Sequence, residues 1–86
     1  MYRAVFSRRA ERAFLALPTP HARRVKEAIE QLMREPRGPG TIKLEGAPVA
    51  QYRRRVGTWR ILFDVNDHDR VVEIVDVRKR DERTYR

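Results

Sequence analysis

The chain has 86 residues, with twenty Lys and Arg against twelve Asp and Glu, a formal net charge of +8, and no cysteine. That length allows one domain, residues 1–86, around a single modest core. The missing cysteines exclude disulfides and thiolate metal sites, and no apolar run approaches the length of a membrane span.

The start, Met1-Tyr2-Arg3-Ala4-Val5-Phe6, runs directly into charge rather than into a signal peptide, which sets the expectation of a cytoplasmic protein without membrane contact. Tyr2 to Phe6 alternates and predicts a first strand. Ser7 suits a helix N-cap. Ala10, Ala13, Phe14 and Leu17 then recur at helical spacing, giving a first helix that ends before Pro18. Thr19-Pro20 restarts the chain, with Thr19 as N-cap and Pro20 at the first helical position. Ala22, Val25, Ile29, Leu32 and Met33 form the apolar stripe of a longer second helix, which Glu35-Pro36 ends. Arg37 to Thr41 reads as a Gly/Pro loop.

The stretch from Tyr52 to Phe63 reads as a β-hairpin around Gly57-Thr58, because Gly at the first of two loop positions suits a type II′ turn. That turn pairs Val56 with Trp59, Arg54 with Ile61 and Tyr52 with Phe63 on one mostly apolar face. The other face places Arg55 opposite Arg60 and Arg53 opposite Leu62. Like charges directly opposite one another are destabilising, so three arginines kept together point to a polyanion site. By parity Trp59 belongs to the core. Arg54 falls on the apolar face, and we expect it at the edge with its stem packed and its head in water. Asn66 to Asp69 is a turn. Val71 to Val77 is the last strand, and its mixed pattern predicts burial on both faces in the middle of a sheet. The resulting order is β-α-α-β-β-β. It predicts an α+β domain with a mostly antiparallel four-stranded sheet and a helical hairpin on one face.

Charge is segregated into blocks. Residues 53–60 hold four arginines and no acid, residues 61–77 carry five acids against Arg70, and Arg78, Lys79, Arg80, Arg83 and Arg86 crowd the end. Such blocks make an oriented field. The two histidines, His21 and His68, are isolated and do not suggest a metal site or a catalytic pair. The expectation is a site without metal or cofactor. Converging guanidinium groups can hold an RNA phosphate and stabilise the added charge of a pentacovalent transition state. Tyr85, between Arg83 and Arg86, could stack on an unstacked base. Glu45 is a nearby carboxylate and a candidate general base.

The chain resembles the RelE/ParE toxins of bacterial and archaeal toxin–antitoxin pairs. The resemblance covers nearly the whole chain. It rests on the element order, on Lys43-Leu44-Glu45-Gly46, on the hairpin from Tyr52 to Phe63, and on Val75-Asp76-Val77-Arg78-Lys79-Arg80 leading to Tyr85. It implies one of two activities: ribosome-dependent cleavage of messenger RNA in the A site, as in RelE members, or inhibition of DNA gyrase without nuclease chemistry, as in ParE members. The resemblance implies that Arg53 and Arg55 are the basic residues of the catalytic strand. Arg60 corresponds to the arginine that stabilises the transition state, Arg80 to the one that protonates the leaving group, and Tyr85 to the tyrosine that stacks on the base. Arg53, Arg55, Arg78, Lys79 and Arg83 are the expected RNA contacts. The presence of this set favours the RelE type. The implied partners are mRNA in the ribosomal A site and an acidic cognate antitoxin, forming a toxin–antitoxin hetero-oligomer whose affinity weakens with salt.

Overall fold

The structure, a computed structural model, describes residues 1–46 and 49–79. The elements are β1 (Arg3–Phe6), α1 (Arg8–Leu15), α2 (Thr19–Arg34), β2 (Thr41–Lys43), β3 (Tyr52–Val56), β4 (Trp59–Asn66) and β5 (Val71–Lys79). The strands form one sheet in the order β1-β5-β4-β3-β2. β1 runs parallel to β5, and every other pairing is antiparallel. The α+β class and the helical layer on one face are as the sequence predicts. The sheet has five strands rather than four, because Thr41–Lys43, inside and just beyond the Gly/Pro loop, pairs with β3 as an edge strand. Three residues are too few to show a period.

Ser7 caps α1 as expected, accepting a hydrogen bond from the Ala10 amide at 3.0 Å, a contact worth about 1 kcal/mol. Helix α2 departs from the prediction at its start. Pro18 is the cap, no side chain caps the helix, and Thr19 is already helical. Pro18 carries no hydroxyl, so the start rests on prolines that fix φ rather than on a capping bond.

The helices bury Ala10, Val25, Ala28, Ile29 and Leu32, and the connection between them buries Leu17, against Ile61, Phe63, Val65, Val72, Ile74 and Val77 of the sheet. Phe6 meets Phe14 edge-on at 5.8 Å, and Tyr52 stacks on Phe63 at 5.6 Å. Trp59 packs against this core, with its ring 5.8 Å from that of His21. The hairpin adopts the predicted register at all five pairs. Gly57 has φ +59° and Thr58 has no positive φ, the sign pattern of a type II′ turn.

Strand β5 contains a feature the sequence pattern does not reveal. Leu62 pairs with Asp76 but Phe63 pairs with Ile74, so Val75 is the extra residue of a β-bulge. Positions 72, 74, 76 and 78 would share one face of an unbroken strand. Here Val72 and Ile74 face the helices, while Asp76 and Arg78 lie on the opposite face beside Leu62 and Arg60. The mixed pattern of this strand is therefore a change of face. Ser7 anchors the bulge by donating its hydroxyl to the Val75 carbonyl at 2.7 Å and its amide to the Ile74 carbonyl at 2.9 Å.

A polar clamp closes the end of the sheet away from the hairpin turn. Arg37 makes a two-pronged pair with Asp67 at 3.0 and 2.8 Å, and its Nε donates to the Tyr52 hydroxyl at 2.9 Å. The Tyr2 hydroxyl donates to the same carboxylate at 2.6 Å. The Arg37 bond, then the Tyr2 bond, holds the Asp67 carboxyl down at about 2, below its ordinary value of 3.8. A lowered carboxyl pKa contributes stability above the unfolded value, and that contribution disappears as pH falls through the folded one. Because the pair is exposed, we expect a small effect. Thermal melts should show wild-type protein losing more stability than Asp67→Asn between pH 4 and pH 2. Parallel acid curves would mean that the clamp does not contribute.

Candidate functional site

The arginine-bearing face of the sheet lies opposite the helices. Ile61 and Phe63 point into the core, so the alternating residues of β3 and β4 must point away from it. Arg55 pairs with Arg60, and Arg60 pairs with Arg78. Three arginines therefore stand side by side across β3, β4 and β5. The next level holds Arg53, Leu62 and Asp76 in the same strand order. Below it, Asp64 pairs with Glu73, so the face is basic toward the hairpin turn and acidic toward the other end.

Among the described residues, no carboxylate forms an ion pair with Arg53, Arg55 or Arg60. The Nε groups of Arg53 and Arg60 are buried and have no hydrogen-bond partner among the described residues. A buried donor left unmet costs about 1–3 kcal/mol, on top of the repulsion within the row. A phosphate placed over the row would supply acceptors and opposite charge together. Arg78 differs from its neighbours, because its Nε pairs with the Asp76 carboxylate at 2.7 Å. Asp76 is 5% exposed and is the sole buried charged side chain among the described residues. Its other oxygen accepts the Val77 amide at 2.8 Å.

The structure thus brings together Arg53, Arg55, Arg60 and Arg78. Lys79 pairs with Trp59 and so falls on the helix side, not on this face. Glu45 is exposed in the bend after β2. Leu44 bonds Gln51, four residues before Arg55 on the neighbouring strand, so Glu45 stands off the row by roughly 13 Å of strand length. Among the described residues, no ion pair links it to these arginines. Arg80, Arg83 and Tyr85 lie outside the described residues. Arg54 lies at the edge as expected, but its head donates to the Gln31 side chain of α2 and its stem lies over Gly40. Asp76 is the residue that sequence reasoning misses, and the signal for it is the lone acid set between Val75 and Val77.

Comparison with known proteins gives this architecture first a class and then a family. The class is the toxin component of type II toxin–antitoxin systems. The family model described as "ParE toxin of type II toxin-antitoxin system, parDE" matches residues 4–84, and the chain belongs to this family within the RelE/ParE superfamily. No curated protein matches it significantly in sequence. Among solved structures, it is similar to the archaeal RelE–RelB complex from Pyrococcus horikoshii, with 33% identity, a TM-score of 0.80, and coverage of 94% of this chain and 97% of that one. It is also similar to the RelBE2 toxin–antitoxin complex from Mycobacterium tuberculosis, with 30% identity, a TM-score of 0.80, and coverage of 92% and 98%. The isolated RelE toxin of Escherichia coli shares the fold, with a TM-score of 0.82 at 24% identity over 95% of this chain and 87% of that one.

Proposed function

We propose that this toxin is a RelE-like, ribosome-dependent mRNA endonuclease. The observation that carries this reading is the row Arg55–Arg60–Arg78, with the buried Arg60 Nε lacking an acceptor among the described residues. The substrate's own 2′-oxygen attacks the adjacent phosphorus, the 5′-oxygen departs, and the products are a 2′,3′-cyclic phosphate and a 5′-hydroxyl. The 2′-OH proton goes to solvent and the departing oxygen gains a proton. Arginine is a poor base, with a pKa above about 12, so the work of this row is charge stabilisation. Arg60 sits between two other arginines and faces the phosphate where negative charge accumulates. Arg53 and Arg55 hold the backbone. Arg80 as leaving-group acid, Arg83 as a phosphate contact and Tyr85 as a stacking platform complete the reading. Such a reaction takes place in the cytoplasm.

A second reading, gyrase inhibition without chemistry, has one specific observation in its favour: the matching family model is that of ParE toxins. A translation extract and a supercoiling assay separate the two. The first reading predicts mRNA cut at codon positions and unimpaired gyrase, whereas the second predicts intact mRNA and impaired supercoiling.

The partner is an acidic antitoxin that covers the basic face. Support comes from the two most identical structures described above, both of which are toxin–antitoxin complexes. Affinity for the co-expressed antitoxin should fall as salt rises from about 0.1 M to 1 M, where the screening length drops from about 10 to 3 Å. Titration calorimetry giving the same Kd at both salts would indicate an apolar interface instead.

A further inference from the structure

The Val75 bulge and Asp76 point to a role that the arginine row alone does not explain. We infer that Asp76 is a positioning residue. It orients Arg78 within the phosphate-binding row, and the bulge places both residues on that face. This inference rests on the RNA-cleaving reading of the site.

Three observations support it. First, the bulge determines which face Arg78 occupies. If Val75 were regularly paired instead of bulged, Asp76 and Arg78 would continue the inward series of Val72 and Ile74 and point at the helices. Bulges near functional sites often re-aim a side chain in this way. Ser7 secures this bulge through two bonds while also capping α1, so the start of the helical layer and the register of the arginine row are mechanically joined.

Second, Asp76 is placed to orient rather than to neutralise. A carboxylate 5% exposed is costly to bury unless it is paired and hydrogen-bonded. It meets that cost with the Val77 amide on one oxygen and the Arg78 Nε on the other. Nε is the inner nitrogen of the guanidinium. Holding it fixes the plane of the group and leaves the two terminal nitrogens to bond an outer acceptor. The Arg78 side chain remains 41% exposed, so its outer edge is accessible.

Third, Arg78 stands directly beside Arg60. A guanidinium held in one plane loses less conformational freedom on meeting phosphate than a free side chain does.

The test exploits a difference in sign. If Asp76 were only a negative charge near a polyanion site, removing that charge would tighten RNA binding. If Asp76 orients Arg78, removing it weakens the site. The probe is a ribosomal complex programmed with an mRNA that carries a 2′-deoxy nucleotide at the scissile position for binding, and the all-ribose mRNA for single-turnover cleavage. Asp76→Asn keeps the shape and the Val77 bond. We expect it to weaken binding or slow cleavage by about fivefold to tenfold, the scale of one net hydrogen bond. In an Arg78→Ala background the same change should have no effect or a slight effect in the opposite direction. A purely structural role would produce the same loss in both backgrounds and would overturn the inference, as would tighter binding by Asp76→Asn. If Asp76→Asn does not fold, Arg78→Lys carries the test. Lysine retains the charge but cannot both hold Asp76 and present a fork, so the expected loss is again about fivefold to tenfold. Full activity with lysine would refute the orienting role. Cleavage by wild type that is lost in Arg60→Ala but indifferent to Asp76 and Arg78 would sink this inference and leave the RNA-cleaving reading standing. No cleavage by wild type would sink both.

Discussion

Replacing Arg60 with alanine should lower single-turnover cleavage of a programmed ribosomal complex by about 10²–10³-fold, the loss seen when one preorganised transition-state donor is removed. Arg60 is the middle member of the row and its Nε is buried, so the group is held in place before substrate arrives. A donor of this kind acts more on the charge that develops during the reaction than on ground-state binding. Association with the ribosome should therefore change much less than the rate. A contact that served binding alone would cost roughly tenfold, about 1.4 kcal/mol, and mainly through affinity. Arg60→Lys should recover part of the rate, because an ammonium supplies charge without the planar fork. Arg55→Lys is the informative contrast. Arg55 is exposed at the edge of the row, where charge matters more than fixed geometry, so that change should be mild. Near-wild-type cleavage by Arg60→Ala would remove the role assigned to this residue.

The largest effect on stability should come from Phe63. Its side chain is fully buried between the stacked Tyr52 ring and the Ile74 position on β5. Truncating a buried phenylalanine costs about 3–5 kcal/mol, from lost transfer energy and the residual cavity. A domain of this size has about 5–15 kcal/mol to lose at most and is expected near the low end. Phe63→Ala should therefore be largely unfolded, or should melt far below wild type, when followed by circular dichroism. A shift of only a degree or two would mean that the core repacks around the loss.

The hairpin and the helices are legible in the sequence for local reasons. Gly57-Thr58 sets the turn, the turn sets the register, and the register sorts arginines from apolar residues across two short strands. The stripes of α1 and α2 follow 3.6-residue spacing closely enough to name most of the helical layer's share of the core. What is not legible depends on contacts distant in sequence. The β2 edge strand is too short to carry a pattern and exists because β3 is there to pair with it. The clamp joins Arg37 to Asp67 thirty residues on, and Tyr2 to Asp67 across sixty-five. The bulge hides because it breaks the alternation that strand reading relies on. Its consequences for Asp76 and Arg78 appear only when the partners on β4 are known. For the same reason Lys79 reads as part of the basic run but falls on the other face.

The central claim is that this protein uses arginine charge to cut mRNA through the substrate's own 2′-oxygen. The measurement that tests it most directly compares two programmed ribosomal complexes, identical except that one A-site codon carries a 2′-deoxy nucleotide at the scissile position. Wild-type toxin should bind both, cut the ribose form at one position with a 2′,3′-cyclic phosphate end, and leave the deoxy form intact. An uncut ribose codon, or equal cutting of both forms, would contradict the claim.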